Sequence, residues 1–187
     1  MTDEAVLQEL AREIRSCVKC PLHLSRRNAV PGEGPSDATL MIIGEAPGRN
    51  EDEQGRPFVG AAGRNLDDLL SEAGVSRDSV FITNTVKCRP PANRRPARDE
   101  LDACHPYLRR QTEAIAPKVI VLLGDAALKE FFPGSSLGQV HGKTMKRGSL
   151  LFFSTYHPAS VIYNPSLKEV LKDDFRKLGA LTREGKV

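Results

Sequence analysis

Four short apolar runs, at residues 39–43, 80–83, 118–123 and 150–154, are separated by stretches whose apolar residues recur at helical spacing, and this alternation constrains the fold more than any other feature of the chain. Each run has strand length and is rich in β-branched or aromatic residues, the pattern expected of strands buried on both faces. Between them, Leu66, Leu69, Leu70 and Ala73 mark a helix stopped at Gly74, and Leu101, Cys104, Leu108 and Ile115 mark another that runs into Pro117. Ala127, Leu128 and Phe131 mark a short third helix. A helix over 3–16, with Val6, Leu10 and Ile14 at four-residue spacing, precedes the first strand. The last helix opens with Ser166 and Glu169 at capping-box spacing and is expected to bury Val170, Leu171, Phe175 and Leu178. Strands alternating with helices predict an α/β fold, a three-layer α/β/α sandwich around a mainly parallel, roughly four-stranded sheet. The 187 residues suit one domain, 1–187, built around one site.

In an open sheet of this kind, ligands bind beyond the carboxyl ends of the strands. The segments to inspect are therefore 44–48 (GEAPG), 84–88 (NTVKC), 124–125 (GD) and 156–160 (YHPAS). Hydrophobic residues make up 40% and charged residues 27% of the chain, and no apolar run approaches the length that crosses a bilayer. The opening MTDEAVLQELAREI has neither the basic and apolar blocks of a secretion signal nor the character of a transit peptide, so a reducing cytosol is the expected location.

Cysteines in that setting are metal ligands or buried thiols before they are disulfides. Two residues separate Cys17 from Cys20, which lets both sulfurs turn toward one centre, and fifteen separate Cys88 from Cys104. Cys88 is expected at a strand end and Cys104 one turn inside a helix, so one centre would tie separate elements together. Spacing leaves unligated thiols, zinc and an iron-sulfur cluster all open; the lack of a second close cysteine pair tilts the choice toward the cluster. The net charge of +3 is uninformative, but Lys87, Arg89, Arg94, Arg95 and Arg98 form a basic run without an acidic residue among 87–98, and Lys143, Lys146 and Arg147 form another. Both read as loops, either merely solvated or facing phosphates.

Taken in order, GEAPG at 44–48, EDEQGRPFVGAAG at 51–63, NTVKCRPPANRRP at 84–96, YHPAS at 156–160 and the cysteine spacing closely resemble the thermostable-type, iron-sulfur uracil-DNA glycosylases, family 4, from about Cys17 to the last helix. The resemblance implies hydrolysis of uracil from single- and double-stranded DNA after the nucleotide is flipped into a pocket. It implies that Asn84 reads the O4 and N3–H edge of uracil, that Phe58 stacks on the base, and that His157 hydrogen-bonds O2. Glu45 would position the attacking water and Glu51 would shape the pocket near C5 against thymine, with Gly44 and Ala46 beside the base. Cys17, Cys20, Cys88 and Cys104 would hold a 4Fe-4S cluster. Arg89, Arg94, Arg95, Ser160 and Val161 would contact DNA, and one of Val161, Ile162 and Tyr163 would enter the helix as a wedge.

Some relatives trap uracil on a histidine in the loop before the fourth cysteine; here that loop reads RPPANRRPARDELDA and has none, so release of free uracil is expected. A monomer without membrane contact is expected, and no sliding-clamp contact is legible. Two alternatives stand beside this reading: a related glycosylase with a shifted base preference, and a non-catalytic iron-sulfur module that binds nucleic acid or senses redox state.

Overall fold

A computed structural model describes residues 3–183. Its strands are β1 (Leu40–Gly44), β2 (Val80–Asn84), β3 (Val119–Leu123), β4 (Lys143–Arg147) and β5 (Leu150–Thr155), and its helices include α1 (Asp3–Arg15), α2 (Arg49–Gln54), α3 (Ala61–Ala73), α4 (Arg98–Ile115), α5 (Asp125–Phe131), α6 (Leu137–Val140), α7 (Ser160–Tyr163) and α8 (Leu167–Arg183). The sheet order is β2-β1-β3-β5-β4. All pairs are parallel except β4 with β5.

Every residue of β1, β2 and β3 is buried, as the apolar runs require, and the polar Thr83 and Asn84 that end β2 are buried with them. Alternate side chains then feed two cores. Met41, Ile43, Phe81, Ile120, Leu122 and Phe152 pack on Leu10 and Ile14 of α1, Leu108 of α4 and Leu128 of α5. Leu40, Ile42, Ile82, Val121 and Phe153 pack on Leu66 and Leu70 of α3 and on Leu171, Phe175 and Leu178 of α8. These are the two outer layers of the predicted sandwich.

The sheet has five strands where the sequence suggested about four. The basic segment 143–147 is not a loop but the antiparallel edge strand β4, joined to β5 through Gly148 and Ser149, with Gly148 at φ +61°. Charge on an edge strand deters pairing with other chains, which is why this strand does not look like its neighbours. Smaller differences follow from helix phase. Leu7 is buried and Val6 only partly so, Val170 is half-buried, and the Ser166 hydroxyl donates to Asn164 Oδ1 at 2.6 Å. Cys104 lies in the second turn of α4. No described helix is long and apolar enough to cross a membrane.

Because β2 and β3 flank β1 on opposite sides, the loops leaving these strands diverge and open a crevice at their carboxyl ends.

Candidate active site

Asn84 is the last residue of β2, Glu45 follows β1, His157 follows β5, and Phe58 lies between α2 and α3. Together with Ala46, Glu51, Arg94 and Tyr163 they line one pocket of about 390 Å³, a size suited to a small planar ligand. The Asn84 side chain is buried, and its Nδ2 has no hydrogen-bond partner. Such a group costs stability unless something supplies the missing acceptor. Gly44, opposite Asn84 in the sheet register, does not line the pocket. It leaves room instead: a Cβ there would sit 2.5 Å from Asn84 Oδ1 and 2.8 Å from Phe58 Cζ.

Phe58 has φ +50°, a left-handed backbone that an aromatic residue adopts only under constraint. Arg77 supplies part of that constraint, donating from Nη1 to the Phe58 carbonyl at 3.1 Å and from Nη2 to that of Pro57 at 2.7 Å. Gly63 supplies another, since a Cβ there would lie 1.9 Å from the Phe58 carbonyl oxygen. Glu51 closes the clamp: Oε1 accepts from the Val59 and Gly60 amides at 2.8 and 3.0 Å, and Oε2 accepts from the Gly48 amide at 3.1 Å. The Phe58 ring is thereby stacked with His157, with centroids 5.6 Å apart and planes at 26°.

Burial pushes the His157 imidazole down to about 4, against the opposing charge of Glu51, so the ring is neutral at physiological pH. Its Nδ1 accepts the Ala159 amide at 3.1 Å, which leaves the single ring proton on Nε2. Burial raises the Glu45 carboxyl above its ordinary range; Arg95 opposes this shift and Asp125 adds to it.

Cys17, Cys20, Cys88 and Cys104 line one further cavity, together with Arg26, Lys87 and Tyr107. Arg26 Nη1 donates to Cys88 Sγ at 3.0 Å, and the Lys87 amide donates to Cys104 Sγ at 3.3 Å. Among the described residues, no three His, Cys, Asp or Glu side chains form a group that could hold a single metal ion.

The profile of the Uracil DNA glycosylase superfamily matches residues 31–178. A type-4 uracil-DNA glycosylase of Sulfurisphaera tokodaii is 50% identical over 185 residues, covering 94% of this chain and 84% of the relative. That of Thermotoga maritima is 42% identical over 181 residues, 94% of each chain. A type-5 uracil-DNA glycosylase of Pyrobaculum aerophilum is only 28% identical over 213 residues, 92% of this chain and 94% of the relative. This chain is a type-4 uracil-DNA glycosylase.

In this glycosylase the expected base-site residues Glu45, Ala46, Glu51, Phe58, Asn84 and His157 share one pocket. The expected DNA contacts are placed less simply. Arg94 lines the pocket, but its guanidinium is held by buried Glu100 at 2.7 and 2.8 Å. Arg89 Nε donates to Asn93 Oδ1 at 2.7 Å, whereas Arg95 stands exposed. The Ser160 hydroxyl is buried without a partner, and Val161 is half-buried against the α3/α8 core. Ile162 and Tyr163 project instead, 54% and 88% exposed.

Lys87 is not part of a basic surface. It is among the largest fully buried side chains, with Nζ donating to Asn84 O at 2.9 Å, to Gln111 Oε1 at 2.7 Å and to Thr83 Oγ1. Sequence reasoning also missed Pro90, Asn93 and Ala159 in the pocket wall. Asn93, at φ +54°, carries the one usable signal, a turn-former in a Pro-rich loop.

Proposed function

We propose that this chain, as one domain and a monomer in a reducing cytosol, hydrolyses the bond between uracil and deoxyribose in single- and double-stranded DNA, releasing free uracil and leaving an abasic site. The observation that carries the reading is the buried Asn84 carboxamide, whose Nδ2 lacks an acceptor and which lies in the same pocket as Phe58 and His157. A carboxamide offers one donor and one acceptor, matching O4 and N3–H of uracil; cytosine presents a donor and an acceptor in the reverse order. Phe58 gives the flipped base an apolar face, and the fixed backbone around it keeps the slot narrow.

As the C1'–N1 bond breaks, its electron pair passes to the base and charge accumulates on O2. The Nε2–H of a neutral His157 donates to that oxygen, a contact that strengthens as charge develops and so favours the transition state over the ground state. Glu45 orients water toward C1', takes its proton as the new C1'–O bond forms, and balances the cationic sugar. Glu51 acts by fixing the slot: both its oxygens are engaged with backbone amides, so any exclusion of the thymine methyl works through the wall it holds. Tyr163, in the pocket wall, and its exposed neighbour Ile162 are the apolar side chains that would fill the vacated stack.

Four cysteines lining one cavity supply the all-thiolate donor set that a 4Fe-4S cluster takes. Burial keeps the Cys88 and Cys104 thiols protonated when bare, the latter pushed up to about 11, and iron would ionise them. A bound 4Fe-4S cluster supplies a cross-link between the segment after α1, the end of β2 and α4. Hydrolysis involves no net oxidation or reduction, so no redox step is assigned to it.

The discriminating experiment replaces His157 or Glu45 by Ala. A glycosylase loses turnover by about 10²–10³ while keeping DNA affinity within about threefold. A binding-only module releases no base in any form and is indifferent to both substitutions.

A further inference from the structure

The most unusual buried group outside the reacting site is the Lys87 ammonium, which has no carboxylate partner. Its three hydrogen-bond acceptors are all neutral oxygens: the Thr83 hydroxyl, the Asn84 carbonyl and the Gln111 side-chain oxygen. A second set of bonds closes this group into a ring, because Thr83 Oγ1 and Gln111 Nε2 both donate to the Pro31 carbonyl, at 3.0 and 2.8 Å. Burying a cation without a counter-charge is costly, and its retention calls for a compensating partner.

That partner lies on the other side of the same residue. Lys87 forms part of the wall of the four-cysteine cavity, and its own amide donates to Cys104 Sγ at 3.3 Å. Four thiolates around a bound cluster would carry net negative charge into the wall that Lys87 shares. Toward the pocket, the same ammonium grips the carbonyl of Asn84, the residue whose carboxamide faces the base. Asn84 is the terminal residue of β2; the chain beyond it stays tied to the β1 exit by the Thr85 amide on the Gly44 carbonyl and the Val86 amide on the Glu45 carbonyl, and the lysine adds a bond to the Asn84 carbonyl itself.

We propose that Lys87 is a positioning residue that fixes the Asn84 carboxamide for its pyrimidine and couples that fit to the cluster. This rests on the uracil-excision reading. It makes the cluster more than a distant staple: its negative charge holds the ammonium, the ammonium holds the strand end, and the strand end aims the reading side chain. Gln111 and Thr83 are the struts that stop the lysine from rotating away.

The test uses iron-loaded wild type, Lys87→Met and the milder Thr83→Val, which keeps the ammonium and removes one acceptor. Affinity is measured for a duplex carrying 2'-fluoro-deoxyuridine, which resists cleavage, and for the same duplex carrying a tetrahydrofuran abasic analogue. The proposal predicts that Lys87→Met weakens uracil-analogue binding about tenfold, the weight of one well-placed hydrogen bond, while leaving the abasic duplex within about twofold. Thr83→Val shifts the same ratio in the same direction by a smaller factor. The cluster's reduction potential becomes more negative in Lys87→Met, because a nearby positive charge has gone; a purely structural lysine would not produce that shift together with selective loss of uracil binding.

An unchanged ratio in both variants, or equal loss on both duplexes, overturns the proposal. If Lys87→Met does not fold, Thr83→Val decides by its ratio alone. Uracil release by wild type is measured alongside: release with an unchanged ratio sinks the lysine's role only, whereas absence of release sinks the excision reading and the proposal with it.

Discussion

At the scale of single residues, the account turns on two protonation states. With His157 held near 4 and neutral, the kcat/KM profile shows no ionisation near 6.5, the value of a free imidazole. The acid limb comes from Glu45, above the ordinary carboxylate value because its charge is desolvated. Activity measured between pH 4 and 9 checks both points: Glu45→Gln should be slow and lack that limb, and a limb at 6.5 that vanishes in a His157 variant would contradict the neutral-donor role. Glu51 and Phe58, and the role expected of each base-site residue, came with the family resemblance, whereas Glu45, Asn84 and His157 were legible as residues at or just after strand ends. Lys87 was not: a lysine among arginines looks solvated, and nothing local in the sequence indicates that its ammonium folds back onto its own strand end.

At the scale of elements, the segment from α2 to α3 is held by interactions that no periodicity announces. Glu51 accepts three backbone amides, Gly48 on one side and Val59 and Gly60 on the other. Glu51→Gln replaces one acceptor oxygen with a donor facing an amide, and should cost about 1–3 kcal/mol in a denaturant titration. Misplacement of Phe58 should lower kcat in the same variant. The helix pair α3/α8 offers an independent check away from the site. A Cβ at Gly179 would lie 2.1 Å from the Ala73 carbonyl oxygen, so Gly179→Ala must push the helices apart, lowering stability by about 1–3 kcal/mol with uracil release in the surviving folded fraction unchanged. The buried strands were readable from apolar runs alone. β4 was not, because an edge strand with three basic residues in five carries a solubility signal instead of a core signal; only the Gly148-Ser149 pair hinted at a hairpin.

At the scale of the whole molecule, folding and chemistry are linked through pH. His157 is neutral in the folded protein down to about 4 and takes its proton near 6.5 when unfolded, so acid favours the unfolded chain. Stability is full above about 6.5 and falls as pH drops toward 4, with this one residue accounting for about 3 kcal/mol. Melting curves across that range in wild type and His157→Ala should diverge at neutral pH and converge in acid. The cysteine spacing predicted that the four thiols would come together, and in the fold they line one cavity. The central claim, that the pocket at the strand ends removes uracil from DNA, is tested most directly by incubating purified, iron-bearing protein with an end-labelled oligonucleotide containing one uracil and then treating it with alkali. The account predicts free uracil and a strand cut at that position, with no cut at thymine or cytosine in its place and none with Asn84→Ala on the same timescale. Intact strands from protein shown to carry its iron, or equal cutting by the Asn84 variant, would contradict it.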